Sequence, residues 1–498
     1  MMKNKKYILF GCAALFILVN CYALTREFFM VPLLSLAALL VYLLFFHADT
    51  LVYLLALSIP FSIVIRNEKV NLGLSVPSEI IMVALTLLFL CRIIYDLSVN
   101  RRIARHPVSI AIYVYLLWMF ITCITSQLPI VSFKFLASKI WFIVSSYFII
   151  IQLIKNNLKN WVRVFNCYAF SLACVVIITT IRHAMTGFAE HGSHWIMAPF
   201  YNDHTAYGAI LAFFIPITIS FLFLPKTTRL QRAGYIAMLV VFLIGFYLSF
   251  SRAAWLSLIG SAAVFIILKL RIKLSWVVVG AAVIFGTFYY FADDILYKMS
   301  RNSQDSSGKL VEHLQSISNI STDASNVERL NRWVSAFGMI KEKPLVGWGP
   351  GTYQFEYAPF QKGKYKTIIS TNFGDRGNAH SEFIGPCAES GFPGLLTVLV
   401  LMVMIIYYGI HTYIQAHSRT VRTLTLGAVL ALISYYIHGT MNNFLDTEKL
   451  SFPFWAAFAL IVVCNTLYIN KKEEEVNGER RELRGEMREE NGEMKTEN

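Results

Sequence analysis

Long apolar runs separated by short polar connections make up most of the chain. The runs are roughly 17–25 residues long, which is the length that an α-helix needs to cross the hydrocarbon core of a bilayer. The pattern therefore predicts an all-α integral membrane protein, a bundle of about 12–14 transmembrane helices. The predicted spans are residues 7–24, 29–46, 50–65, 78–97, 107–126, 135–154, 162–182, 203–224, 233–250, 252–269, 273–292, 381–409, 420–438 and 452–469.

Both ends of the chain are interpreted in the light of this pattern. The run 7–24 follows a basic start, as a signal peptide would, but it has no small-residue cleavage site and leads into further apolar sequence. We interpret it as a retained first helix. Residues 470–498 are charged and repeat every seven residues, but the a and d positions of the repeat are not both apolar. We predict a disordered, solvated tail there rather than a coiled coil.

One long polar segment, residues 293–379, interrupts the apolar pattern between the eleventh and twelfth predicted helices. Residues 326–340 within it are predicted to form a helix with Arg329, Arg332 and Trp333 along one face. The other connections are much shorter. The segment is therefore the first place to look for residues that carry chemistry.

Composition and charge narrow the class of protein further. The chain is 56% hydrophobic and 15% charged, whereas soluble domains carry about 25% charged residues. The net charge of +14 does not form one basic patch, so we predict no binding of nucleic acid. The Lys and Arg residues instead cluster in alternate loops, around residues 92–105, 155–163, 226–232, 269–273 and 419–422.

The loop charges predict the orientation of the chain. Cytoplasmic loops of membrane proteins carry an excess of Lys and Arg. If the N-terminus is cytoplasmic, every one of these basic loops is cytoplasmic as well. Both termini then lie in the cytoplasm, and the segment 293–379 lies outside.

Cysteine and histidine do not form a recognisable metal site. The 8 cysteines include no CxxC pair, so neither a disulfide framework nor a zinc site is predicted. Four histidines share one outer connection, but their spacing fits no standard ligand set. We interpret that connection as a polar, aromatic rim that faces the substrate. The four histidines are His183, His191, His194 and His204.

Three groups on the predicted outer face are candidates for chemistry. Arg252 opens a membrane span, where an arginine is costly unless it is paired or hydrated, and snorkelling to head groups would explain it equally well. Arg329 could belong to an ordinary surface helix. His380 opens the next apolar run, with Asn378 and Ser381 as possible caps, and its side chain can accept a proton near neutral pH. From the residues alone these alternatives stay open.

The glycine-rich stretch Gly347-x-Gly349-x-Gly351 is not a nucleotide site, because it follows no predicted strand and contains no Walker motif. Its glycines allow the backbone to turn or to approach a ligand closely. An enzyme with its chemistry outside the cell membrane cannot count on cytosolic nucleotides. Its donor substrate would have to arrive already activated, for instance on a lipid carrier.

Several short motifs together resemble those of the O-antigen ligase and O-antigen polymerase superfamily. Their order and spacing carry the resemblance, which covers roughly residues 200–400, about two fifths of the chain. The motifs are Asn202-Asp203-His204, Ser251-Arg252-Ala253-Ala254, Glu328-Arg329-Leu330-x-x-Trp333, Pro344-Leu345-Val346-Gly347-x-Gly349-x-Gly351-x-Tyr353, Ala379-His380-Ser381-Glu382-Phe383 and Ala388-Glu389-x-Gly391-x-x-Gly394. The family often has Asn where Ser381 stands.

The resemblance implies an inverting glycosyl transfer that needs no metal and no cofactor. It implies a donor glycan on polyprenyl diphosphate and a saccharide acceptor, either the lipid A-core of lipopolysaccharide or a growing glycan. The catalytic residues of the family map onto Arg252, Arg329 and His380. The remaining motif positions become candidate substrate-binding residues, namely Arg332 as a substitute for Arg329, Trp333, Gly347, Gly349, Gly351, Asn202, His204 and Glu389.

The resemblance also divides the chain. Residues 1–200 are expected to be N-terminal transmembrane helices, 201–469 a ligase-like catalytic region, and 470–498 the tail. The leading hypothesis is a ligase, and the first alternative is a repeat-unit polymerase with the same donor. The second alternative, a non-catalytic exporter of lipid-linked glycans, would more often show charges in mid-membrane or two related halves. The predicted spans are nearly free of charge.

Overall fold

Ten helices that are long and apolar enough to cross a membrane occur among the residues that the structure, a computed structural model, describes. The described residues are 30–67, 72–96, 100–188, 195–273, 324–363 and 377–477, with isolated positions at 18–28, 275–286, 366 and 370. The prediction of an all-α integral membrane protein is confirmed. The predicted spans 7–24 and 273–292 and the tail beyond 477 lie largely or wholly outside the described residues.

The main helices have the following bounds, in chain order. They are α1 Met30–Phe46, α2 Ala48–Ser58, α3 Ser78–Asp96, α4 Pro107–Ile124, α5 Pro129–Ile143, α6 Lys159–Met185, α7 His204–Leu222, α8 Arg229–Leu248, α9 Arg252–Lys269, α10 Ala324–Glu342, α11 Ile384–Gln415, α12 Arg419–His438 and α13 Glu448–Val463. π-helical turns extend two of them, α5 through Val144–Phe148 into Ile149–Ile154 and α13 through Cys464–Tyr468. Short helical turns lie at Ile59–Phe61, Arg101–Ala104, Tyr353–Glu356, Ala358–Phe360 and Glu473–Asn477.

The predicted span 50–65 is wrong in its second half. α2 ends at Ser58, and a β-hairpin follows in which β1 (Ile63–Asn67) pairs antiparallel with β2 (Leu72–Val76). Consecutive β-branched residues at the start of β1 favour a strand. Hydropathy alone could not separate this strand from the apolar helix before it.

The centre of the bundle is the pair α7 and α12. α7 also packs on α8, and α12 also packs on α9 and α11. The close approach of the pair depends on small residues, since a Cβ at Gly427 would lie 2.4 Å from Oγ of Ser220. Small residues at helix contacts are typical of membrane proteins, where burial in lipid gives no hydrophobic drive between helices.

Consecutive membrane helices alternate in direction, so their connections fall at two ends of the bundle. The hairpin and the connections after α4, α6, α8 and α12 lie at one end, together with the start of α11; we call this the site end. The basic connections, such as those before α4 and after α9, lie at the opposite end. This separation agrees with the predicted orientation, while the side of the membrane that each end faces stays a prediction.

Candidate active site

His380 lies at the site end, in the turn that precedes α11. Its backbone has a positive φ of 46°, and its N–H donates to Oδ1 of Asn378 at 3.1 Å. The turn is fixed to the α12–α13 loop (residues 439–447), because the N–H of Glu382 donates to the carbonyl of Gly439 at 2.8 Å. α11 itself begins three residues later than predicted, at Ile384.

The carboxylate of Glu382 fastens the same turn a second time. Its Oε1 accepts hydrogen bonds from the backbone N–H of Phe444 at 2.9 Å and of Leu445 at 3.0 Å, and from the hydroxyl of Tyr435. Burial raises the pKa of Glu382 to about 6, and the charge of Asp446 contributes in the same direction. Glu382 therefore holds the turn that carries His380 against α12 and the α12–α13 loop.

Arg329, on α10, meets the same loop. Its Nε donates to the carbonyl of Met441 at 3.3 Å. Burial, and after it the charges of Arg329 and Arg332, lower the pKa of His380 to about 4, against an opposing effect of nearby acidic groups. The imidazole is thus neutral at pH 7, and the charge of Arg329 favours this neutral form.

Arg252 is the first residue of α9 and also lies at the site end. The turn before it is fixed to the start of α7, because the carbonyl of Ser249 lies 2.8 Å from Nδ1 of His204. Asp203, next in the chain to His204, caps α7, and its charge acts on the imidazole of His380. The start of α7 therefore contacts the turn before Arg252 through His204, and acts on His380 through the charge of Asp203.

Arg332 is built into the packing of the polar segment. It is buried and pairs with Glu328, with 2.6 Å between Nε and Oε1. Its guanidinium lies 4.2 Å from the ring centroid of Tyr357, and its carbonyl accepts from the hydroxyl of Tyr353 at 2.7 Å. The neighbouring Trp333 is partly buried. Contact of either side chain with a substrate stays a prediction, and for Arg332 it would require this packing to open.

The glycine-rich stretch docks onto a break in α11. Gly391 has φ 71° and ψ −176°, which interrupts the helix, and the exposed backbone pairs with the stretch. The N–H of Gly349 donates to the carbonyl of Glu389 at 2.8 Å. The side chain of Glu389 in turn accepts from the N–H of Tyr353 at 3.1 Å.

All three glycines of the stretch have positive φ, which supports their interpretation as turn positions. Each also lies against protein. A Cβ at Gly347 would lie 2.3 Å from the backbone of α11, one at Gly349 would lie 1.9 Å from Oγ of Ser126, and one at Gly351 would lie 2.9 Å from the ring of Phe135. The close approach that the sequence predicted is therefore an approach to α11, to the α4–α5 connection and to α5. Binding of substrate by these glycines stays a prediction.

Substitution of Gly349 by alanine should destabilise the protein by about 1–3 kcal/mol or more, the usual cost of forcing a residue into an unfavourable backbone region, with the overlap at Ser126 added. Gly363 is the matched control, because a Cβ there meets nothing within 4 Å. Thermal unfolding of both variants in detergent measures the difference. Equal melting temperatures would show that the stretch does not need this close approach.

A cavity with a volume of about 740 Å³ lies beside the His380 turn. Asn202, Gly351 and Glu389, three of the predicted substrate-binding residues, line it. Ala379 and Ser381 line it as well, on either side of His380 in the sequence. The two arginines and the histidine predicted to be catalytic are not among its described lining residues.

An ion pair that lines this cavity, between the buried Lys139 and the exposed Asp446, was missed by sequence reasoning. Nζ of Lys139, on α5, lies 2.8 Å from Oδ1 of Asp446 and donates to the carbonyl of Leu445 at 2.8 Å. Lys139 falls within the predicted span 135–154, which is otherwise free of charged residues. A lone lysine in an apolar run is a signal of function or pairing, and it could have drawn attention to this position.

The cluster of four outer histidines is only partly described. His191 and His194 lie outside the described residues. His183 is buried, with its ring 5.4 Å from that of Phe188, and His204 is bonded to the turn before α9. The two described members thus have structural contacts of their own.

Substitution of Glu382 by alanine should lower stability by about 1–3 kcal/mol for each backbone N–H that loses its acceptor. If Glu382 also positions His380, the kcat of any reaction at this site should fall while the KM for the donor stays unchanged. The matched control is Glu342→Ala at the exposed end of α10. A loss of stability without a change in kcat would limit Glu382 to a structural role.

Residues 237–399 match the family model described as O-antigen ligase. The match places this region in the O-antigen ligase superfamily. The matched range contains all three predicted catalytic residues and the glycine-rich stretch, so it confirms the resemblance stated from the sequence. Together with the apolar helices, it supports a membrane protein of polysaccharide biosynthesis.

An uncharacterized protein of Haemophilus influenzae is similar to part of this O-antigen ligase-like chain. The two are 20% identical over 256 residues, which is 51% of this chain and 62% of that protein. The chain thus matches less than two thirds of the relative's length. This likeness adds no substrate or activity.

Proposed function

We propose that the protein transfers a glycan from a polyprenyl diphosphate carrier to a saccharide acceptor, as a ligase acting on a lipopolysaccharide core or a similar sugar. The observation that carries the proposal is that the turn with His380 and the side chain of Arg329 both bond to the α12–α13 loop. Burial and the arginine charges lower the pKa of His380, which favours a neutral imidazole there. A general base must be unprotonated at the working pH. A departing diphosphate needs positive charge. His380 and Arg329 are the groups that we propose for these two roles.

In the proposed reaction, the oxygen of an acceptor hydroxyl forms a bond with the anomeric carbon of the donor glycan. The bond between that carbon and the phosphate oxygen breaks, and its electron pair leaves with the polyprenyl diphosphate. His380 takes the proton of the hydroxyl. Arg252 and Arg329 hold the diphosphate oxygens through their planar, bidentate guanidinium groups. Attack from the face opposite the leaving group would invert the anomeric configuration, and no step requires a metal ion.

The proposed location is the periplasmic face of the bacterial inner membrane, with both termini in the cytoplasm. The basic connections at the end opposite to His380 support it. The proposed catalytic region, residues 201–469, contains the three catalytic candidates. However, Tyr115, Trp118 and Lys139 from before residue 200 also line the cavity, so the N-terminal helices would contribute to the site as well.

Deletion of the gene, followed by analysis of surface and lipid-linked glycans, tests the proposed function. If the protein is a ligase, the deletion should remove glycan-capped lipopolysaccharide and cause lipid-linked polymer to accumulate. The wild-type gene should reverse both effects. Single repeats on the carrier would identify a polymerase instead. Unchanged surface glycan, with the deletion verified, would overturn both.

The pH dependence of transfer should reflect the lowered pKa of His380. Because that pKa is about 4 rather than the ordinary value of about 6.5, kcat/KM should stay level as the pH falls from 7 to about 5, with the acid limb below. Between pH 6.5 and 4 the unfolded chain binds a proton at this residue that the folded chain does not. The free energy of unfolding should therefore decrease as the pH is lowered through this window. An acid limb centred near pH 6.5 would contradict the lowered pKa.

A further inference from the structure

The cavity beside the His380 turn has a charge pattern that differs from that of the predicted catalytic residues. Its described lining contains three carboxyl groups, those of Glu382, Glu389 and Asp446, and a single cation, Lys139. That cation is already paired with Asp446 at 2.8 Å. The cavity therefore offers no uncompensated positive charge to an anionic ligand.

The two arginines predicted to be catalytic contact other parts of the site. Arg329 contacts Met441 in the α12–α13 loop and acts on the imidazole, and Arg252 stands at the start of α9. Neither arginine is among the described residues that line the cavity. A phosphate or diphosphate would therefore bind near the arginines, because burial of an anion among carboxyl groups is strongly unfavourable.

The cavity also changes in polarity along its length. The carboxyl groups and Asn378 lie towards the site end, whereas Val398, Leu401 and Phe458 line a deeper apolar part. Phe458 lies ten residues into α13, about 15 Å along the axis at 1.5 Å per residue. Aromatic side chains, including Trp118 and Trp455, line the space as well. A ligand that fits this lining has a polar head and an aliphatic tail.

We propose that this cavity is the acceptor site, and that it selects an uncharged sugar carried on an aliphatic chain. Sugar hydroxyls can donate hydrogen bonds to the carboxyl groups, while the aromatic rings can pack against the apolar faces of the sugar. The flanking positions of His380, Ala379 and Ser381, line the cavity, so a sugar bound there would lie next to the turn that carries the histidine. The term acceptor rests on the proposed function. The preference for an uncharged head rests on the lining alone.

Photocrosslinking of the full-length protein in lipid nanodiscs tests this proposal without turnover. The probe is an octyl glucoside with a diazirine on its alkyl chain, and labelled peptides are identified by mass spectrometry. Labelling should fall on α11 and α13. It should be competed by octyl glucoside, about tenfold less well by octyl glucuronide, a difference of about 1.4 kcal/mol, and not by farnesyl diphosphate.

Gly385 provides a matched pair of variants. It lines the cavity, and a Cβ there would meet only Ala379 Cβ, at an ordinary 3.7 Å. Gly385→Ala should therefore keep the labelling, whereas Gly385→Phe should fill the space and abolish it. Val398→Trp fills the apolar end and serves as a second blocking variant if Gly385→Phe does not fold.

Each outcome decides the proposal. Competition by farnesyl diphosphate would make the cavity a donor site, equal competition by the glucuronide would refute charge selection, and labelling that survives both filling variants would place the probe elsewhere. All three would overturn the inference. The proposed function is tested separately, because a protein that binds the probe in the cavity but transfers no glycan would refute the enzymatic proposal alone.

Discussion

Replacement of His380 by asparagine should lower the rate of glycan transfer by about 10²–10⁴, the usual contribution of a general base. The imidazole has a pKa of about 4 at this position, so it is ready to accept the proton of an acceptor hydroxyl at neutral pH. Asparagine is the chosen substitute because it tolerates positive φ better than alanine, and His380 has φ 46°. The initial rate is measured with purified protein and a lipid-linked donor.

The control for this substitution is His417→Asn, at the opposite end of the bundle, which should leave the rate unchanged. Thermal unfolding must show that the His380→Asn variant is still folded, so that the decrease in rate cannot result from unfolding of the protein. Rates within about twofold of wild type in the folded variant, far less than a base contributes, would remove His380 from the chemistry. The arginines would then have to act with a different base.

The membrane fold was largely predictable because one physical quantity decides it. A bilayer imposes a minimum length on apolar helices, and the predicted spans 78–97, 107–126 and 252–269 agree with α3, α4 and α9 to within a few residues. The hairpin after α2 was not predictable in this way. Its first strand is as apolar as a helix, and its pairing with Leu72–Val76 depends on a partner strand that hydropathy does not identify.

The candidate site was predictable only in part, for a similar reason. The motif resemblance located Arg252, Arg329 and His380, but not the contacts that hold them. Lys139 and Asp446 are 307 positions apart in the chain, and only the packing of α5 beside the α12–α13 loop makes them a pair. The same loop receives Glu382 and Arg329, so the residues that fix the site are scattered over helices whose neighbours the sequence does not reveal.

For the glycine-rich stretch, the sequence predicted the backbone conformation correctly but did not identify what the stretch contacts. The sequence predicted turns, and the positive φ angles of Gly347, Gly349 and Gly351 agree. The partner was not predictable, because it is the backbone exposed by the break at Gly391 in α11. A helix break within an apolar run leaves no hydropathy signal.

Replacement of Arg329 by lysine should lower transfer by about 10²–10³, the loss seen when one preorganised donor to a developing negative charge is removed. Lysine keeps the charge but not the planar pair of donors that matches two phosphate oxygens. Arg252→Lys should have a similar effect. The rate and the donor KM are measured together, since stabilisation of the leaving diphosphate is a property of the transition state and should appear mainly in kcat.

The matched control lies one helical turn away on the same helix. Arg332→Lys removes the Nε donor to Glu328 and the planar group over Tyr357, so we expect a lower melting temperature, with a smaller loss of kcat per folded molecule than in Arg329→Lys. The two variants therefore separate a charge that acts on substrate from one that holds the polar segment together. Near-normal turnover of Arg329→Lys, with the larger loss of kcat in Arg332→Lys, would reverse these roles and make Arg332 the diphosphate ligand.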